Sequence, residues 1–275
     1  MPRVVAPFRP SRSKGQCFLN DLRFVTRIVE TLAPAKGETL LEIGAGDGQL
    51  TLPMVSAGAR VLAIETDPRL ARRLSRHQGD RLEVIEADAL KVDFEQLFKD
   101  RGLDERIRGY GNLPYSVASP ILLKLLTHAH RFDSLTLMFQ KEVAERLVAQ
   151  PSTKDYSFLS VVTQQAAHTR ILFKIPPAAF RPRPRVMSAV VRLDLRHGES
   201  PDYGDERTFR ALVKALTAHR RKTIANNIKH LGPSLLSRDV ITDSVNELAI
   251  EPTRRAETLL VEEFAEISRI CASKT

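Results

Sequence analysis

Short apolar runs alternate with amphipathic segments between residues 39 and 195 of the chain. Runs rich in Leu, Ile and Val predict strands, and the segments between them place apolar residues at helical spacing. Strands and helices that alternate in this way predict an α/β fold with a mainly parallel sheet. The last run, residues 186–195, alternates in polarity and predicts an antiparallel strand that closes the sheet. An amphipathic helix that begins near Asp21 is expected to cover the first strand.

The pattern changes beyond a charged stretch at residues 197–205. This stretch contains Gly198, Pro201 and Gly204, which is typical of a linker between domains. Only helical spacing follows it. The clearest apolar stripes consist of Phe209, Leu212, Val213 and Leu216, and of Leu259, Leu260, Phe264, Ile267 and Cys271. We therefore expect a basic N-terminal arm at 1–13, an α/β domain at 14–196 and a small all-α C-terminal domain at 206–275.

A glycine-rich turn follows the first predicted strand. Residues 39–51 pass from an apolar run through Gly44-Ala45-Gly46-Asp47-Gly48 into a helical pattern. Glycines let the backbone turn sharply and approach a ligand closely, and the N-terminus of the following helix offers N–H groups to that ligand. On its own, this motif is equally typical of a tight turn that packs a helix on its strand.

Polar residues mark the ends of the next three predicted strands. Glu65 ends the second strand, where a carboxylate can accept hydrogen bonds from both hydroxyls of a ribose. Asp88 follows the third strand and can accept a hydrogen bond from an adenine amino group. Asn112-Leu113-Pro114-Tyr115 follows the fourth. Because the carboxyl ends of parallel strands share one edge of a sheet, these groups predict a site for an adenosyl cofactor.

Asn112-Leu113-Pro114-Tyr115 suits a target adenine beside that cofactor. The Asn112 amide and the adjacent backbone carbonyl can accept hydrogen bonds from an exocyclic amine, and the Tyr115 ring can stack on the base. The amine is a poor nucleophile because its lone pair is delocalised into the ring. Accepting its two protons favours a tetrahedral nitrogen that can attack a methyl carbon without a general base. The alternative is a proline-ordered turn with a core tyrosine, and the three preceding motifs favour the catalytic interpretation.

Composition and charge narrow the class of protein. The chain has 275 residues, of which 43% are hydrophobic, and a formal net charge of +9 with a pI near 9.8. An excess of positive charge favours an anionic partner, most often nucleic acid. Cys17 and Cys271 lie far apart, no metal-ligand spacing is evident, and no run is long enough to span a membrane. We expect a cytoplasmic protein that uses neither a metal nor a membrane.

Together these motifs resemble those of the S-adenosylmethionine-dependent ribosomal RNA adenine N6-dimethyltransferases. The resemblance extends over nearly the whole chain from Lys14, and the ordered set is highly specific although each motif alone is not. The motifs are Gly15-Gln16-Cys17-Phe18-Leu19, Glu42-Ile43-Gly44-Ala45-Gly46, Glu65, Asp88-Ala89, Asn112-Leu113-Pro114-Tyr115, residues 140–147, 180–184 and 186–191, and Arg220-Arg221-Lys222. Asn-Leu-Pro-Tyr with Ser-Ala-Val at 188–190 is most similar to the bacterial members that dimethylate two adjacent adenosines near the 3′ end of 16S RNA.

The resemblance implies a Rossmann-like class I methyltransferase fold with a mainly parallel seven-stranded sheet, plus the small all-α C-terminal domain. It also implies a binding site for S-adenosyl-L-methionine. In that site Gln16 and the backbone around Leu19 would close over the cofactor, Gly44 and Gly46 would pass beside its methionine moiety, Glu65 would hold its ribose, and Asp88 and Ala89 would contact its adenine.

The resemblance assigns the transfer itself to two further groups. Asn112, with the rest of its motif, would lie between the cofactor and the target, and Phe180 would face Tyr115 as the second aromatic wall around a flipped-out base. Cys17, within the cofactor segment, departs from the asparagine that is usual in the family. Cysteine cannot supply the hydrogen bonds of an amide, so that contact to the cofactor is expected only if the backbone makes it, and a loss of cofactor affinity is one interpretation. The alternative, which we favour, is that Cys17 is a tolerated small loop residue.

Two basic segments are candidates for phosphate contacts. The first consists of Arg181, Arg183 and Arg185, which alternate with prolines that stiffen the chain beside Phe180. The second consists of Arg220, Arg221 and Lys222. The expected partner is 16S rRNA in the small ribosomal subunit or its precursor, and the protein is expected to act as a monomer.

Other functions remain open at the level of sequence. A ribosome-assembly or transcription-type factor could retain this fold without catalysis, although intact Glu65, Asp88, Asn112 and Tyr115 favour an enzyme. Related enzymes that methylate 23S RNA tend to have isoleucine where Leu113 stands, which favours the 16S substrate. DNA adenine methyltransferases usually have two prolines in this motif and fit less well.

Overall fold

The computed structural model describes residues 17–232 and 235–274. Gln16 and the basic arm at 1–13 therefore lie outside the described residues. The chain forms two compact units. The first consists of the described residues up to Lys141 together with Leu172–Arg192, and the second consists of Glu142–Ile171 together with the described residues from Leu193 onwards.

Strands and helices alternate through most of the chain before helices alone continue. The strands are β1 (Phe18–Leu19), β2 (Thr39–Ile43), β3 (Arg60–Glu65), β4 (Leu82–Glu86), β5 (Ile107–Asn112), β6 (Phe132–Gln140), β7 (Ala167–Ile175), β8 (Phe180–Arg181) and β9 (Ser188–Leu195). The helices are α1 (Leu22–Leu32), α2 (Thr51–Ser56), α3 (Pro68–Leu74), α4 (Phe94–Lys99), α5 (Ala118–Thr127), α6 (Lys141–Leu147), α7 (Phe158–Ala166), α8 (Glu206–Thr217), α9 (Ile224–Lys229), α10 (Arg238–Glu247) and α11 (Val261–Ser273).

Seven of the described strands form one sheet in the order β4-β3-β2-β5-β6-β9-β7. The pairs β2 with β3, β2 with β5, β3 with β4, and β5 with β6 are all parallel. Their central residues, such as Leu40 and Leu62, are fully buried, because a parallel sheet covered on both faces needs continuous apolar strands. The predicted mainly parallel seven-stranded sheet is confirmed. Since β2 to β5 run in the same direction, their carboxyl ends meet at one edge.

The predicted closing strand lies inside the sheet rather than at its edge. β9 lies between β6 and β7, and β7 is the terminal strand. The burial of the two strands explains the difference. β9 is buried along most of its length, whereas β7 alternates between buried and accessible positions, as a strand at an edge does. The prediction that residues 186–195 close the sheet was therefore wrong in position.

Polar caps start the helices that flank the first strands. Asp21 caps α1 by accepting a hydrogen bond from the backbone N–H of Arg23, and Asp67 caps α3 in the same way through Arg69. Pro68 occupies the first turn of α3, where its missing N–H costs nothing. The starts of α1 and α3 agree with those predicted from the sequence. Helix α2 is short and begins only at Thr51, several residues beyond the glycine turn.

The C-terminal part of the second unit is built from helices α8 to α11. The predicted apolar stripes form its core, with Phe209, Leu212 and Phe264 at most 1% exposed. Leu260 is the exception and is 52% exposed, because it caps the start of α11. The helical character predicted for this part is confirmed, and no helix within the described residues is long and apolar enough to cross a membrane.

The second unit also contains residues that precede the expected linker at 197–205. The Tyr156 hydroxyl donates to the backbone carbonyl of Leu259 at 3.1 Å, and the N–H of Ser152 donates to the carbonyl of Glu257 at 2.7 Å. These hydrogen bonds join residues 142–171 to the helical part of the same unit. The expected boundary between independent domains stays a prediction, and the compact units divide the chain at other positions.

Candidate functional site

A cavity of about 270 Å³ in the first unit lies where the carboxyl ends of β2 to β5 meet. Most of the cofactor and catalytic residues expected from the sequence line it. They are Cys17, Leu19, Gly44, Gly46, Glu65, Asp88, Ala89, Asn112, Leu113, Pro114 and Tyr115. Gln16, expected beside them, lies outside the described residues. A sheet edge at which parallel strands end is the usual ligand site of an open α/β fold.

The cavity wall is acidic. Glu42, Asp47, Glu65 and Asp88 all line it, whereas none of the described lining residues is Lys, Arg or His. Because burial raises the pKa of Glu42 to about 8, this side chain is mostly neutral near pH 7 and adds little to the negative charge of the wall, which a positively charged ligand offsets. The charge of the wall therefore favours a cationic ligand.

The glycine turn shapes one side of the cavity. Gly44 and Gly46 have φ values of 75° and 60°, in the left-handed region that favours glycine. A Cβ atom on Gly46 would lie 3.0 Å from the Phe18 ring, and one on Gly44 would lie 3.5 Å from the carbonyl oxygen of Asn112. The N–H groups of Gly44 and Ala45 both donate to the carbonyl of Ile64. These contacts indicate that the glycines provide space beside the cavity.

The expected helix N-terminus contributes less than its sequence suggested. The N–H of Gly46 donates to Glu65, that of Gly48 donates to Ala45, and that of Leu52 in α2 donates to Gly48. These N–H groups are therefore already engaged within the protein, and the expected close approach of a ligand to the turn stays a prediction.

Glu65 is held rigidly at the end of β3. Its Oε2 accepts a hydrogen bond from the N–H of Gly46 at 2.8 Å, and its Oε1 accepts one from the N–H of Asp67 at 2.7 Å. Burial raises the pKa of the Glu65 carboxyl, and these two hydrogen bonds oppose that shift. Each carboxylate oxygen has a second lone pair, so both can still accept from a pair of hydroxyl groups on a ligand.

Glu42 is a site residue whose individual role the sequence did not reveal. It lines the cavity, is 1% exposed, and accepts a hydrogen bond from the Tyr110 hydroxyl at 2.9 Å through Oε2. Burial, with a smaller contribution from the nearby Glu65 carboxyl, raises the pKa of Glu42 to about 8. A lone acid at the end of the otherwise apolar β2 is the feature that could have drawn attention to it.

Asp47 is the second residue that the sequence analysis left without a role. It lines the cavity, and its Oδ1 is buried without a hydrogen-bond partner among the described residues. Buried polar atoms are usually satisfied, so an unsatisfied one beside a cavity is a candidate ligand contact. Asp88 differs because its Oδ1 already accepts from the N–H of Leu90 at 3.0 Å.

Asn112 has one side of its amide engaged by the protein. Its Nδ2 donates to the backbone carbonyl of Cys17 at 3.0 Å. This bond requires a backbone carbonyl and no particular side chain at position 17, which explains how cysteine can stand there. With the amide nitrogen held in this way, the Asn112 Oδ1 is the group left to accept a hydrogen bond.

Tyr115 is fixed by a residue distant in sequence. Its hydroxyl lies 2.5 Å from the hydroxyl of Ser188, which is fully buried at the start of β9. Burial raises the pKa of Tyr115, so the phenol stays neutral, and the hydrogen bond with Ser188 opposes this shift. The sequence identified Ser188 only as part of a motif, and the structure shows that it anchors the ring.

Phe180 does not line the cavity. It is 2% exposed, and it pairs with Leu19 where β1 and β8 form a small antiparallel sheet. Its ring packs in the hydrophobic cluster of the first unit rather than facing Tyr115 across open space. The expected aromatic wall stays a prediction, and it would require this ring to become accessible.

The expected phosphate contacts differ in how available they are. Arg181, Arg183 and Arg185 in the first unit are all exposed. In the second unit Arg220 and Arg221 are both exposed. Arg220 is paired with Glu257 at 3.0 Å and also donates to the carbonyl of Thr153. Lys222 is partly exposed. Arg220 therefore has a structural role that Arg221 lacks.

The described residues contain no group of three or more His, Cys, Asp or Glu side chains arranged to hold a metal ion.

Comparisons with known proteins agree on one family. The model of the family described as ribosomal RNA adenine dimethylase matches residues 8–273. The protein named ribosomal RNA small subunit methyltransferase A from Clostridium perfringens is 39% identical over 263 residues, covering 95% of this chain and 90% of the relative. Its namesake from Idiomarina loihiensis is 40% identical, covering 94% and 87%.

Solved structures share the fold. A dimethyladenosine transferase from Plasmodium falciparum superposes with a TM-score of 0.75 at 22% identity, covering 91% of this chain and 95% of that one. The 23S rRNA methyltransferase ErmE superposes with a TM-score of 0.62 at 23% identity, covering 92% and 98%. Both similarities concern the fold alone, and they agree with a Rossmann-like sheet followed by a helical C-terminal part.

Proposed function

The chain belongs to the ribosomal RNA adenine dimethylase family, and we propose that it dimethylates two adjacent adenosines near the 3′ end of 16S rRNA during small-subunit biogenesis. It is an S-adenosyl-L-methionine-dependent rRNA (adenine-N6,N6)-dimethyltransferase. The observation that supports the proposed chemistry most directly is the arrangement of Asn112, whose amide nitrogen is held by Cys17 while its Oδ1 stays available beside the acidic cavity.

The cavity suits the cofactor in shape and charge. When bound, S-adenosyl-L-methionine supplies an activated methyl group on a positively charged sulfur. The acidic wall, which has no Lys, Arg or His among its described lining residues, matches that charge and the amino group of the methionine moiety. Glu65 would hold the ribose through both oxygens, Asp88 and Ala89 would contact the adenine, and the unsatisfied Oδ1 of Asp47 would accept from a donor of the cofactor. Gly44 and Gly46 leave the space for this approach.

Asn112 would activate the target amine by accepting a hydrogen bond from it. Its Oδ1 and the backbone carbonyl of Leu113 would each accept a hydrogen bond from the exocyclic nitrogen of adenine. Pro114 restricts the turn that presents these two acceptors. Both acceptors favour a tetrahedral nitrogen, whose lone pair is then free to attack. The nitrogen loses a proton to solvent after each methylation, so no buried base is required.

Tyr115 would support the target base by stacking. The hydrogen bond between Tyr115 and Ser188 keeps the ring in one orientation before the base arrives. A ring that is already ordered loses less conformational entropy on binding, so the base is held more tightly. Ser188 therefore acts on the target through Tyr115.

The positive net charge of the chain and its family support the proposed RNA substrate. The net charge of +9 suits an RNA substrate, and the exposed Arg181, Arg183, Arg185 and Arg221 are the proposed phosphate contacts. We infer that the substrate is 16S rRNA in the small ribosomal subunit or its precursor. We also infer that the protein acts as a monomer in the cytoplasm, where ribosomes assemble.

The test is nucleoside mass spectrometry after incubation with S-adenosyl-L-methionine and an RNA substrate. The substrate is small subunits from a strain that lacks this modification, with naked 16S and 23S RNA as parallel samples. We expect dimethyladenosine in the subunits, mapped to two adjacent positions near the 16S 3′ end. Modification of 23S RNA instead would overturn the proposed substrate, and subunit binding without any methyl transfer would favour an assembly factor.

A further inference from the structure

A groove in the second unit has no role in the proposed chemistry. It encloses about 250 Å³ and is lined by residues of α9 and α10 and by Pro252. Its apolar lining includes Ile228 and Val245, which are 6% and 1% exposed. The N–H of Ala225 donates to the carbonyl of Pro252 at 3.0 Å, which fixes one wall. The groove therefore combines a buried apolar floor with an open mouth.

Two exposed cations stand at this groove. Lys229 and Arg238 both line it, and none of its described lining residues is acidic. An Nη atom of Arg238 donates to the carbonyl of Leu231 at 2.8 Å, which orients the guanidinium and leaves its other N–H groups available. Neither cation forms an ion pair with another side chain in the described part of the chain.

Other cations of the same unit are neutralised by acids. Arg254 lies 2.6 Å from Glu263, and Lys274 lies 2.8 Å from Glu247. The two cations of the groove are therefore more available to an external anion than these paired cations are.

Helix α10 separates its acids from the groove. Asp239, Asp243 and Glu247 are spaced four residues apart and form one row along the helix, outside the groove. Arg238, Thr242 and Asn246 have the same spacing and form the adjacent row, which lines the groove. Because these acids occupy a different row, none of the three lines the groove beside Lys229 and Arg238.

We propose that this groove binds one nucleotide of the ribosomal RNA substrate, with its phosphate at Lys229 and Arg238 and its base or sugar against Ile228 and Val245. The proposal rests on the proposed rRNA substrate and extends it to a defined contact. The Asn246 amide stands on the same wall and is able to hydrogen-bond to a base edge or a sugar. The Thr242 hydroxyl donates to the backbone carbonyl of Arg238 at 2.8 Å, so it can only accept a hydrogen bond from the ligand. An anionic, partly apolar ligand satisfies all of these groups at once.

Three variants of the full-length protein test the phosphate contacts separately from the occupation of the apolar groove. Lys229→Ala and Arg238→Ala each remove one phosphate contact, and we expect RNA binding about threefold to tenfold weaker near 0.15 M salt, with a salt slope smaller by about 0.7. Ala225→Phe fills the groove and leaves the charge unchanged. We expect it to weaken binding about tenfold without altering the salt slope. Filter binding of small subunits and of a 16S RNA fragment measures both quantities.

Lys214→Ala is the matched control, because Lys214 is an exposed cation of α8 that does not line the groove. An equal effect of Lys214→Ala and Lys229→Ala would show that only net charge matters and would overturn the proposal. Full binding by Ala225→Phe would overturn it as well, because no nucleotide could then enter the groove. Unfolding curves and cofactor titrations verify that each variant is folded.

A photo-crosslinking amino acid in place of Thr242 identifies the occupant. A crosslink to 16S RNA supports the proposal, and a crosslink only to ribosomal protein would overturn it. Binding and crosslinking are measured without S-adenosyl-L-methionine. A failure of the proposed methyl transfer therefore leaves these measurements intact, and a failure of the groove leaves methyl transfer detectable.

Discussion

The cavity of the first unit and the groove of the second have opposite charge patterns. Four carboxyl groups and none of the described cationic side chains line the cavity, whereas two cations and none of the described acids line the groove. The net positive charge alone would predict positive charge at every ligand surface. Here the acids are concentrated at the sheet edge, which suits a cationic cofactor, and the exposed cations are left for an anionic polymer. The net charge of +9 describes neither site.

The largest expected effect is on the chemistry in the cavity. Asn112→Ala removes the acceptor of the target amine, and we expect kcat to fall at least about 100-fold, the usual scale for losing one preorganised polar group. RNA affinity should stay within about twofold, because the charged surfaces are unchanged. Single-turnover methylation of small subunits measures the first quantity and filter binding the second. Substantial remaining turnover would show that another group positions the amine.

A smaller effect is expected on the binding of the cofactor. Glu65→Gln replaces one carboxylate oxygen by a donor, so it removes one acceptor and a negative charge, and we expect S-adenosyl-L-methionine to bind about tenfold more weakly. RNA affinity should not change. Calorimetric titration with the cofactor gives the first value. Equal losses of cofactor and RNA affinity would contradict the separation of the two sites, and an unfolding curve verifies that the variant is folded.

The buried Glu42 makes the free energy of unfolding depend on pH. Its pKa is about 8 in the folded protein and near the usual value of 4.5 for a glutamate in the unfolded chain. As the pH rises from about 4.5 to about 8, the unfolded chain releases this proton while the folded protein retains it. The stability therefore falls through that window, by up to about 1.4 kcal/mol per pH unit, and levels off above it.

Glu42→Gln tests this loss of stability with rising pH because glutamine cannot ionise. Urea unfolding between pH 5 and pH 8 should show a flatter loss of stability for the variant than for the parent protein. Parallel profiles would show that Glu42 ionises in the folded protein as readily as in the unfolded chain. Glu65, whose pKa is also raised by burial, remains in both proteins and is common to both profiles.

The smallest effect is expected from a single surface cation. Arg221→Ala should weaken RNA binding about threefold to fivefold near 0.15 M salt and reduce its salt dependence, with cofactor affinity unchanged. Arg220→Ala is the adjacent comparison. Because Arg220 pairs with Glu257, its loss should lower the free energy of unfolding more than it weakens RNA binding. If the two variants behave alike in both assays, the distinction between a paired and an available cation is wrong.

Much of the site followed from where strands end in the sequence. Glu65, Asp88 and Asn112 could be assigned to one edge because parallel strands put their carboxyl ends together. The proposed phosphate contacts stand out in the sequence as charge clusters, and their role stays a prediction. These inferences need only local pattern and the rule for parallel sheets, so they required no knowledge of distant contacts.

The features of the fold and the site that the sequence did not predict depend on contacts between residues far apart in the chain. The inner position of β9, the burial of Phe180 against Leu19 and the bond between Tyr115 and Ser188 each join segments far apart in the chain. The raised pKa of Glu42 also depends on burial, which the sequence of β2 alone cannot measure. Local patterns cannot rank such pairings, because the same run can form an edge strand or an inner one.

The interleaved course of the chain limits how the protein can diverge by recombination. Each compact unit is assembled from two separate stretches, because Glu142–Ile171 leaves the first unit before Leu172–Arg192 returns to it. A single exchange of gene segments near the apparent linker at 197–205 would therefore mix one parent's residues 142–171 with the other parent's helices. Their shared contacts, such as Tyr156 with Leu259, would then have to fit by chance.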